Sequence, residues 1–248
     1  MKSNVILVTC MLSVVFLSSC KNEKKIPVQE IQATKVVIKS VLTAEEQGSM
    51  SPDEIISRLK KGNENFINNN LTQRDHSEQR RIAAIGQYPK AIVLSCVDSR
   101  VPVEDIFDLG IGDIFVARVA GNIENRDIVG SMEFATAVAG SKVVIVLGHT
   151  SCGAVKHAID NTDAASLGLS SLQGLLDEIR SVVELEGDAA SSSKDKDFTN
   201  KIIDKNVQKT ISDIRERSPK MSELETNGKL KIVGAVYNME SGKVEFLM

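Results

Sequence analysis

The chain has 248 residues, of which 42% are hydrophobic and 25% are charged, so it is long enough for one sizeable domain of ordinary globular composition. It contains no Trp, has only 4% aromatic residues and carries a net charge of −3. These values argue against a base-stacking surface or a phosphate-binding one, so we expect no nucleic-acid partner and a core of aliphatic side chains.

Residues 1–20 have the pattern of a signal peptide. Lys2 precedes an apolar run over residues 5–17, which is short for a membrane-spanning helix. The run ends in the tetrapeptide LSSC, which resembles the bacterial lipobox and predicts lipid attachment at Cys20. An uncleaved amino-terminal anchor is the alternative. Both place the bulk of the chain outside the cytoplasmic membrane, and the lipobox predicts a cell-envelope protein held on the periplasmic or outer-membrane side by its lipid alone.

A tether and then a folded domain are predicted after the signal segment. Residues 21–43 are mostly polar and charged, which is typical of a tether, although the stretch VVIKSVLT is compatible with a short strand or an extended arm. We expect the domain to occupy residues 44–248. Ser51 as an N-cap and Pro52 at the first helical position predict a helix that opens an amino-terminal helical arm.

Short apolar runs then alternate with helical stretches. We predict strands over residues 91–96, 113–121 and 142–149, with helices over 126–140 and from 152 onward. Two or three polar helices follow as far as about Glu225, and the chain ends in two strands that turn at ESGK. This order predicts an α/β fold with a mainly parallel β-sheet core flanked by helices.

Two predicted strands each end in side chains that bind metals. Cys96 and Asp98 follow the first strand, and His149 and Cys152 follow the third. Ligands bind at the carboxyl ends of strands in open parallel sheets, so these four side chains can converge if the two strands are close. Two Cys, one His and one Asp form a complete tetrahedral set for zinc. Because an oxidising compartment also favours disulfides, a Cys96–Cys152 bond is the alternative.

The residues around these strand ends resemble the β-class carbonic anhydrases. The resemblance is carried by CVDSRVPVEDIFDLGIGDIFVARVAGN and GHTSCGAVKHA, and it extends from about Pro52 to the carboxyl terminus. It implies the fold of that family, a Zn²⁺ cofactor and the reversible hydration of carbon dioxide to bicarbonate. One departure is Val97, where the family more often has Ser.

The resemblance implies a role for each residue of the two motifs. Cys96, His149 and Cys152 would be the permanent zinc ligands. Asp98 and Arg100 would form a dyad in which Asp98 either pairs with Arg100 or takes the fourth position on the metal.

Three further residues match family positions around the substrate. Gln87 would hydrogen-bond the substrate across a dimer interface, Phe115 would line the carbon dioxide pocket, and the backbone of Gly153 would lie beside the zinc. A loop-capping role for Gln87 and a plain core role for Phe115 are the alternatives. The resemblance also implies a homodimer or a dimer of dimers.

Two other functions are compatible with the sequence. One keeps the zinc but changes the substrate to a related small electrophile, carbonyl sulfide or carbon disulfide, because the sequence does not show the shape of the pocket. The other is a non-catalytic lipoprotein stapled by a disulfide. The content of zinc per chain distinguishes this last function from the two enzymatic ones.

Overall fold

The computed structural model describes residues 37–187 and 192–247, so the signal segment and Cys20 lie outside the described residues. The described part contains five strands, β1 to β5 in chain order: Ala91–Ser95, Ile114–Arg118, Val143–His149, Lys231–Tyr237 and Val244–Phe246. It also contains nine α-helices, α1 to α9: Ala44–Ser49, Pro52–Ile67, His76–Ala83, Val103–Ile106, Arg126–Glu133, Gly153–Ile159, Ser170–Glu186, Lys196–Arg217 and Pro219–Thr226.

The strands form one sheet in the order β2-β1-β3-β4-β5. Four of them are parallel, and only β5 runs antiparallel to its neighbour β4. Every residue of β1 and β3 is buried, as expected for central strands of a parallel sheet with helices on both faces. The predicted fold class, a mainly parallel sheet flanked by helices, is confirmed.

Apolar helix faces cover both sides of this sheet. On one side, Ile55 and Leu59 of α2 and Phe107 after α4 pack against the odd-numbered side chains of β1 and β3. On the other side, α5, α8 and α9 pack against the even-numbered side chains of the same strands. Ile55 and Leu59 are both fully buried, and each contributes about 1.5–3 kcal/mol by leaving water.

Two glycines allow α8 to approach the sheet closely. A Cβ atom on Gly148 of β3 or on Gly234 of β4 would lie 2.7 Å from the side chain of Val207. Because real Cβ contacts are never that short, any larger residue at either position would push α8 away from the strands. The absence of a side chain at Gly148 and at Gly234 therefore lets α8 pack directly against the end of β3.

Local signals in the sequence explain the helix boundaries. Ser51 caps α2 by accepting a hydrogen bond from the Glu54 backbone at 3.2 Å, with Pro52 at the first position, as predicted. The stretch predicted as one helix over residues 126–140 is α-helical only to Glu133 and widens into a π-helical turn over Phe134–Val138. Gly140 then ends the element with a φ of +81°.

Residues 37–43 precede the first helix and contact the rest of the chain. The Ile38 backbone donates to Gln73 at 2.8 Å and accepts from Asp75 at 2.9 Å, which forms an isolated parallel bridge beside Arg74. Among the described residues, no helix combines the length and the apolar character needed to cross a bilayer.

Candidate metal centre

The sheet brings two cysteines and one histidine together at the carboxyl ends of β1 and β3. These strands are parallel neighbours with Ser95 opposite Leu147, so the residues that follow them leave the sheet at the same edge. The ligand atoms of Cys96, His149 and Cys152 all lie within 4.8 Å of one another. The three residues are 4%, 0% and 1% exposed, so all three ligand side chains are buried.

His149 presents a free ring nitrogen to the two sulfur atoms. Its Nδ1 lies 3.0 Å from the carbonyl oxygen of Thr150, whereas its buried Nε2 has no hydrogen-bond partner among the residues that the structure describes. Because a buried imidazole nitrogen without a partner is costly, this atom indicates a missing ligand. A proton on Nδ1 leaves the Nε2 lone pair directed at the cluster, which is the tautomer that a metal requires. The donor set therefore fits a soft divalent metal.

Within the described part of the chain, neither Cys96 nor Cys152 forms a disulfide, so the alternative of a bond between them is not observed. A hydrogen bond from the Cys152 thiol lowers the pKa of Cys96, and the backbone N–H of Gly121 contributes in the same direction. The same contact with Cys96 raises the pKa of Cys152, because a second negative charge beside the first is unfavourable. Two thiolates side by side repel each other, so a divalent cation bound by both sulfur atoms would favour the ionisation of both.

Asp98 lies beside the cluster and is held by Arg100. The guanidinium donates from Nε to Oδ1 at 2.9 Å and from Nη2 to Oδ2 at 2.8 Å, and the Arg100 backbone donates to Oδ1 at 3.0 Å. These hydrogen bonds lower the pKa of Asp98 to about 2. Its Oδ2 is 3.9 Å from Nε2 of His149. Asp98 is therefore an ionised carboxylate within reach of the cluster but engaged by Arg100.

Arg118 fixes the loop that carries Cys96 and Asp98. It is the last residue of β2, and it donates to the carbonyl oxygens of Cys96 at 2.9 Å and of Asp98 at 2.5 Å. The sequence analysis did not identify this role. The position of an arginine at the end of the neighbouring strand was the only available signal, and it does not show where the side chain points.

A turn after β2 places a backbone donor on the Cys96 sulfur. The N–H of Gly121 lies 3.4 Å from Sγ of Cys96, and the Gly121 carbonyl accepts a hydrogen bond of 2.8 Å from the side chain of Asn206. Asn206 belongs to α8 and is 2% exposed. The sequence analysis did not identify either residue.

The other predicted site residues do not join the cluster within one chain. Gln87 is exposed in the loop before β1, at the opposite end of a strand of five residues, which is about 16 Å long. Phe115 is half-buried near the start of β2 and packs edge-on against Phe134, with 6.1 Å between ring centroids. Gly153 directly follows Cys152, and the space around its Cα is open. The roles of these residues stay predictions.

The mainly parallel sheet and the Cys–His–Cys cluster at its strand ends define an α/β protein with a thiolate-rich metal centre, and comparisons with known proteins specify it further. A sequence profile described as carbonic anhydrase matches residues 91–244. Carbonic anhydrase 2 of Mycobacterium tuberculosis is 34% identical over 186 residues, which cover 75% of this chain and 87% of the relative.

Solved structures give the same assignment. A β-carbonic anhydrase of Aspergillus fumigatus is 28% identical with a TM-score of 0.60, over 69% of this chain and 81% of that chain. One of two β-carbonic anhydrases of Sordaria macrospora, described as tetrameric, has a TM-score of 0.61 at 23% identity, over 68% and 85% of the two chains. The chain belongs to the β-class carbonic anhydrase family and is an enzyme of that family.

Proposed function

We propose that this protein catalyses the zinc-dependent, reversible hydration of carbon dioxide to bicarbonate and a proton. The observation that carries the proposal is the cluster of Cys96, His149 and Cys152 with a carboxylate held beside it rather than in it. Three protein ligands and one open position are typical of catalytic zinc sites, whereas structural sites have four protein ligands.

Zinc suits the donor set better than other common divalent ions. Thiolate and imidazole ligands favour zinc, whereas magnesium and calcium prefer oxygen ligands. When bound, zinc supplies the positive charge that lowers the pKa of water toward neutrality and so makes a nucleophile available. The unpartnered Nε2 of His149 and the low pKa of Cys96 both favour binding of such a cation.

Asp98 would orient the attacking water rather than store its proton. With a pKa of about 2, the carboxylate stays ionised at neutral pH, so it accepts a hydrogen bond from water but does not retain a proton. Arg100 holds both carboxylate oxygens in a fixed plane and leaves their remaining lone pairs available. An acceptor that is fixed before the reaction lowers the cost of aligning the nucleophile.

A small apolar substrate is compatible with the surroundings of the cluster. Val97 is 55% exposed next to Asp98, and no side chain fills the space beside Gly153. Carbon dioxide is small and carries no charge, so apolar surroundings and an open backbone suit it better than a polar cage.

We also infer that the active unit is at least a dimer of this chain, in which Gln87 and Phe115 complete the site of the partner subunit. Strand β2 lies at the edge of the sheet, and beside it is a groove of about 680 Å³. Its lining combines apolar side chains, among them Phe115 and Phe134, with the polar residues Arg126, Asp127 and Ser131. Phe134 is 50% exposed and Val138 is 73% exposed. A strand edge that pairs with no other described strand, beside a groove with exposed apolar side chains, favours association with another chain.

The cell envelope is the proposed location, on the basis of the LSSC sequence before Cys20. In this interpretation, the lipid on Cys20 is the only attachment to the membrane, and the catalytic domain faces the periplasm or the outer-membrane side. Bicarbonate and protons would then be produced or consumed outside the cytoplasm.

A comparison of substrates tests the proposed reaction. Purified, zinc-loaded protein is assayed by stopped flow for carbon dioxide hydration and, in parallel, for hydrolysis of carbonyl sulfide and carbon disulfide. We expect the value of kcat/KM to be highest for carbon dioxide and the Asp98→Asn variant to be slower on it. Preferential hydrolysis of either sulfur compound would replace the proposal by the second enzymatic function, and inactivity on all three would refute both.

A further inference from the structure

We propose that Asn206 is a positioning residue of the metal centre, which acts on the Cys96 thiolate through the backbone of Gly121. This inference rests on the zinc site proposed above. Asn206 comes from α8, 85 residues away from Gly121 in the chain, and its buried amide donates to the Gly121 carbonyl at 2.8 Å. The N–H of the same glycine points at Sγ of Cys96, 3.4 Å away.

The conformation of Gly121 is the link between the two hydrogen bonds. Its φ of +70° is a left-handed value, and a Cβ atom at this position would lie 2.5 Å from Cδ1 of Ile179. Only glycine meets both conditions without strain. The close approach of Ile179 therefore excludes a larger residue, and the hydrogen bond from Asn206 to the Gly121 carbonyl helps to keep the Gly121 N–H directed at the sulfur.

A hydrogen bond from a backbone N–H changes the properties of a thiolate ligand. It withdraws charge from the sulfur, so the sulfur donates less charge to the metal. A less charged sulfur leaves the metal more electrophilic, which matters in a centre with two thiolates. Loss of such outer contacts typically weakens metal binding by about 10–100-fold.

The decisive variant removes the side-chain donor and keeps the volume. Asn206→Leu cannot donate to Gly121, whereas Asn63→Leu is a matched control elsewhere in the core. Asn63 is 4% exposed and bonds only to backbone, donating to Ile106 at 3.1 Å and Gly242 at 2.9 Å and accepting from Val244 at 2.8 Å. Both variants lose buried hydrogen bonds, so both should unfold at a lower temperature than the wild type.

Two measurements on folded protein separate positioning from stability. Zinc affinity is measured by competition with a chelator, and the sulfur-to-metal charge-transfer band is recorded after substitution with cobalt. We expect Asn206→Leu to bind zinc about 10-fold more weakly and to shift the band to lower energy, since a sulfur without its hydrogen bond gives up an electron more easily. Asn63→Leu should retain the wild-type affinity and band.

The possible outcomes distinguish this inference from the proposed function. If the wild type binds zinc and folded Asn206→Leu shows the same affinity and band, the positioning role is refuted and the proposed function stands. If the wild type binds no zinc, the proposed function itself fails. Should Asn206→Leu not fold, Asn206→Asp decides by the same two measurements, since it has the same size but turns a carboxylate oxygen toward the Gly121 carbonyl.

Discussion

Arg100→Ala is the substitution whose consequences follow most directly from the geometry of the site. It removes the two side-chain hydrogen bonds to Asp98, at 2.9 and 2.8 Å, and keeps the backbone hydrogen bond of 3.0 Å. Released from the guanidinium, Asp98 is free to turn toward the cluster. Two ligand atoms on one tetrahedral zinc are about 3.3 Å apart, and Oδ2 already lies 3.9 Å from Nε2 of His149. A small shift of the carboxylate would therefore bring Oδ2 to the distance from Nε2 that is expected of a fourth zinc ligand.

The attraction of Arg100 for Asp98 sets the direction of the effect. Hydrogen bonds, the largest of them from the Arg100 side chain, hold the pKa of Asp98 at about 2 although burial acts in the opposite direction. The same attraction competes with the metal for Asp98. Without it, we expect the rate of carbon dioxide hydration at neutral pH to fall by about 10–100-fold, while zinc affinity rises because a fourth protein ligand becomes available.

The assay combines stopped-flow hydration with zinc competition on the same preparations. Asp98→Asn is the control, since a neutral amide is a poor zinc ligand: it should lose activity without any gain in affinity. A variant Arg100→Ala with wild-type activity, or with weaker zinc binding than the wild type, would refute the assignment of Arg100 as the residue that holds Asp98 away from the metal.

Three further predictions concern stability, assembly and anchoring. Burial alone would raise the pKa of Asp108, but hydrogen bonds from Arg74 and other donors lower it below 3.8 in the folded protein. The ionised Asp108 therefore stabilises the fold fully above pH 3.8, and this stabilisation is lost as the pH falls through the pKa of the folded state. Asp108→Asn leaves the mostly buried Arg74 without its counter-ion and should cost about 3 kcal/mol at pH 7, or about 6–12 °C in Tm; a difference that persists undiminished at low pH would contradict this. We expect Phe134→Glu to convert the oligomer to a monomer, as measured by analytical ultracentrifugation. The control Leu185→Glu, at a side chain on α7 that is 83% exposed, should leave the oligomer intact. An oligomer that is unchanged in Phe134→Glu would exclude the β2 face as the interface. The native protein should partition into the detergent phase and Cys20→Ala should not, and a fully soluble native protein would rule out the lipid anchor.

The parts of the site that are local in sequence could be predicted. Cys96 directly follows β1 and His149 is the last residue of β3; both strands have an apolar run that is plain in the sequence, and Cys152 comes three residues after His149. The capped start of α2 and the closing pair of strands are likewise local signals. A short pattern suffices in these cases because hydrophobic periodicity and capping act within one or two turns of chain.

Contacts between distant segments could not be predicted. Asn206 is an ordinary polar residue in an amphipathic helix, and its link to Gly121 depends on the close approach of α8 that Gly148 and Gly234 allow. Arg118 presents the same difficulty, because the direction of a side chain at a strand end depends on which strand is its neighbour. The π-helical turn over Phe134–Val138 was also missed, since helix propensity does not distinguish one widened turn from a regular one.

The central claim is that carbon dioxide hydration depends on zinc held by Cys96, His149 and Cys152, and a titration tests it most directly. Metal-free protein is loaded with increasing zinc, and bound zinc and the hydration rate are measured on each sample, with Cys152→Ser in parallel. We predict a rate that rises in proportion to bound zinc and reaches its maximum at one zinc per chain, with neither binding nor activity in Cys152→Ser. Full activity without zinc, or full zinc occupancy without hydration above the buffer rate, would contradict the account.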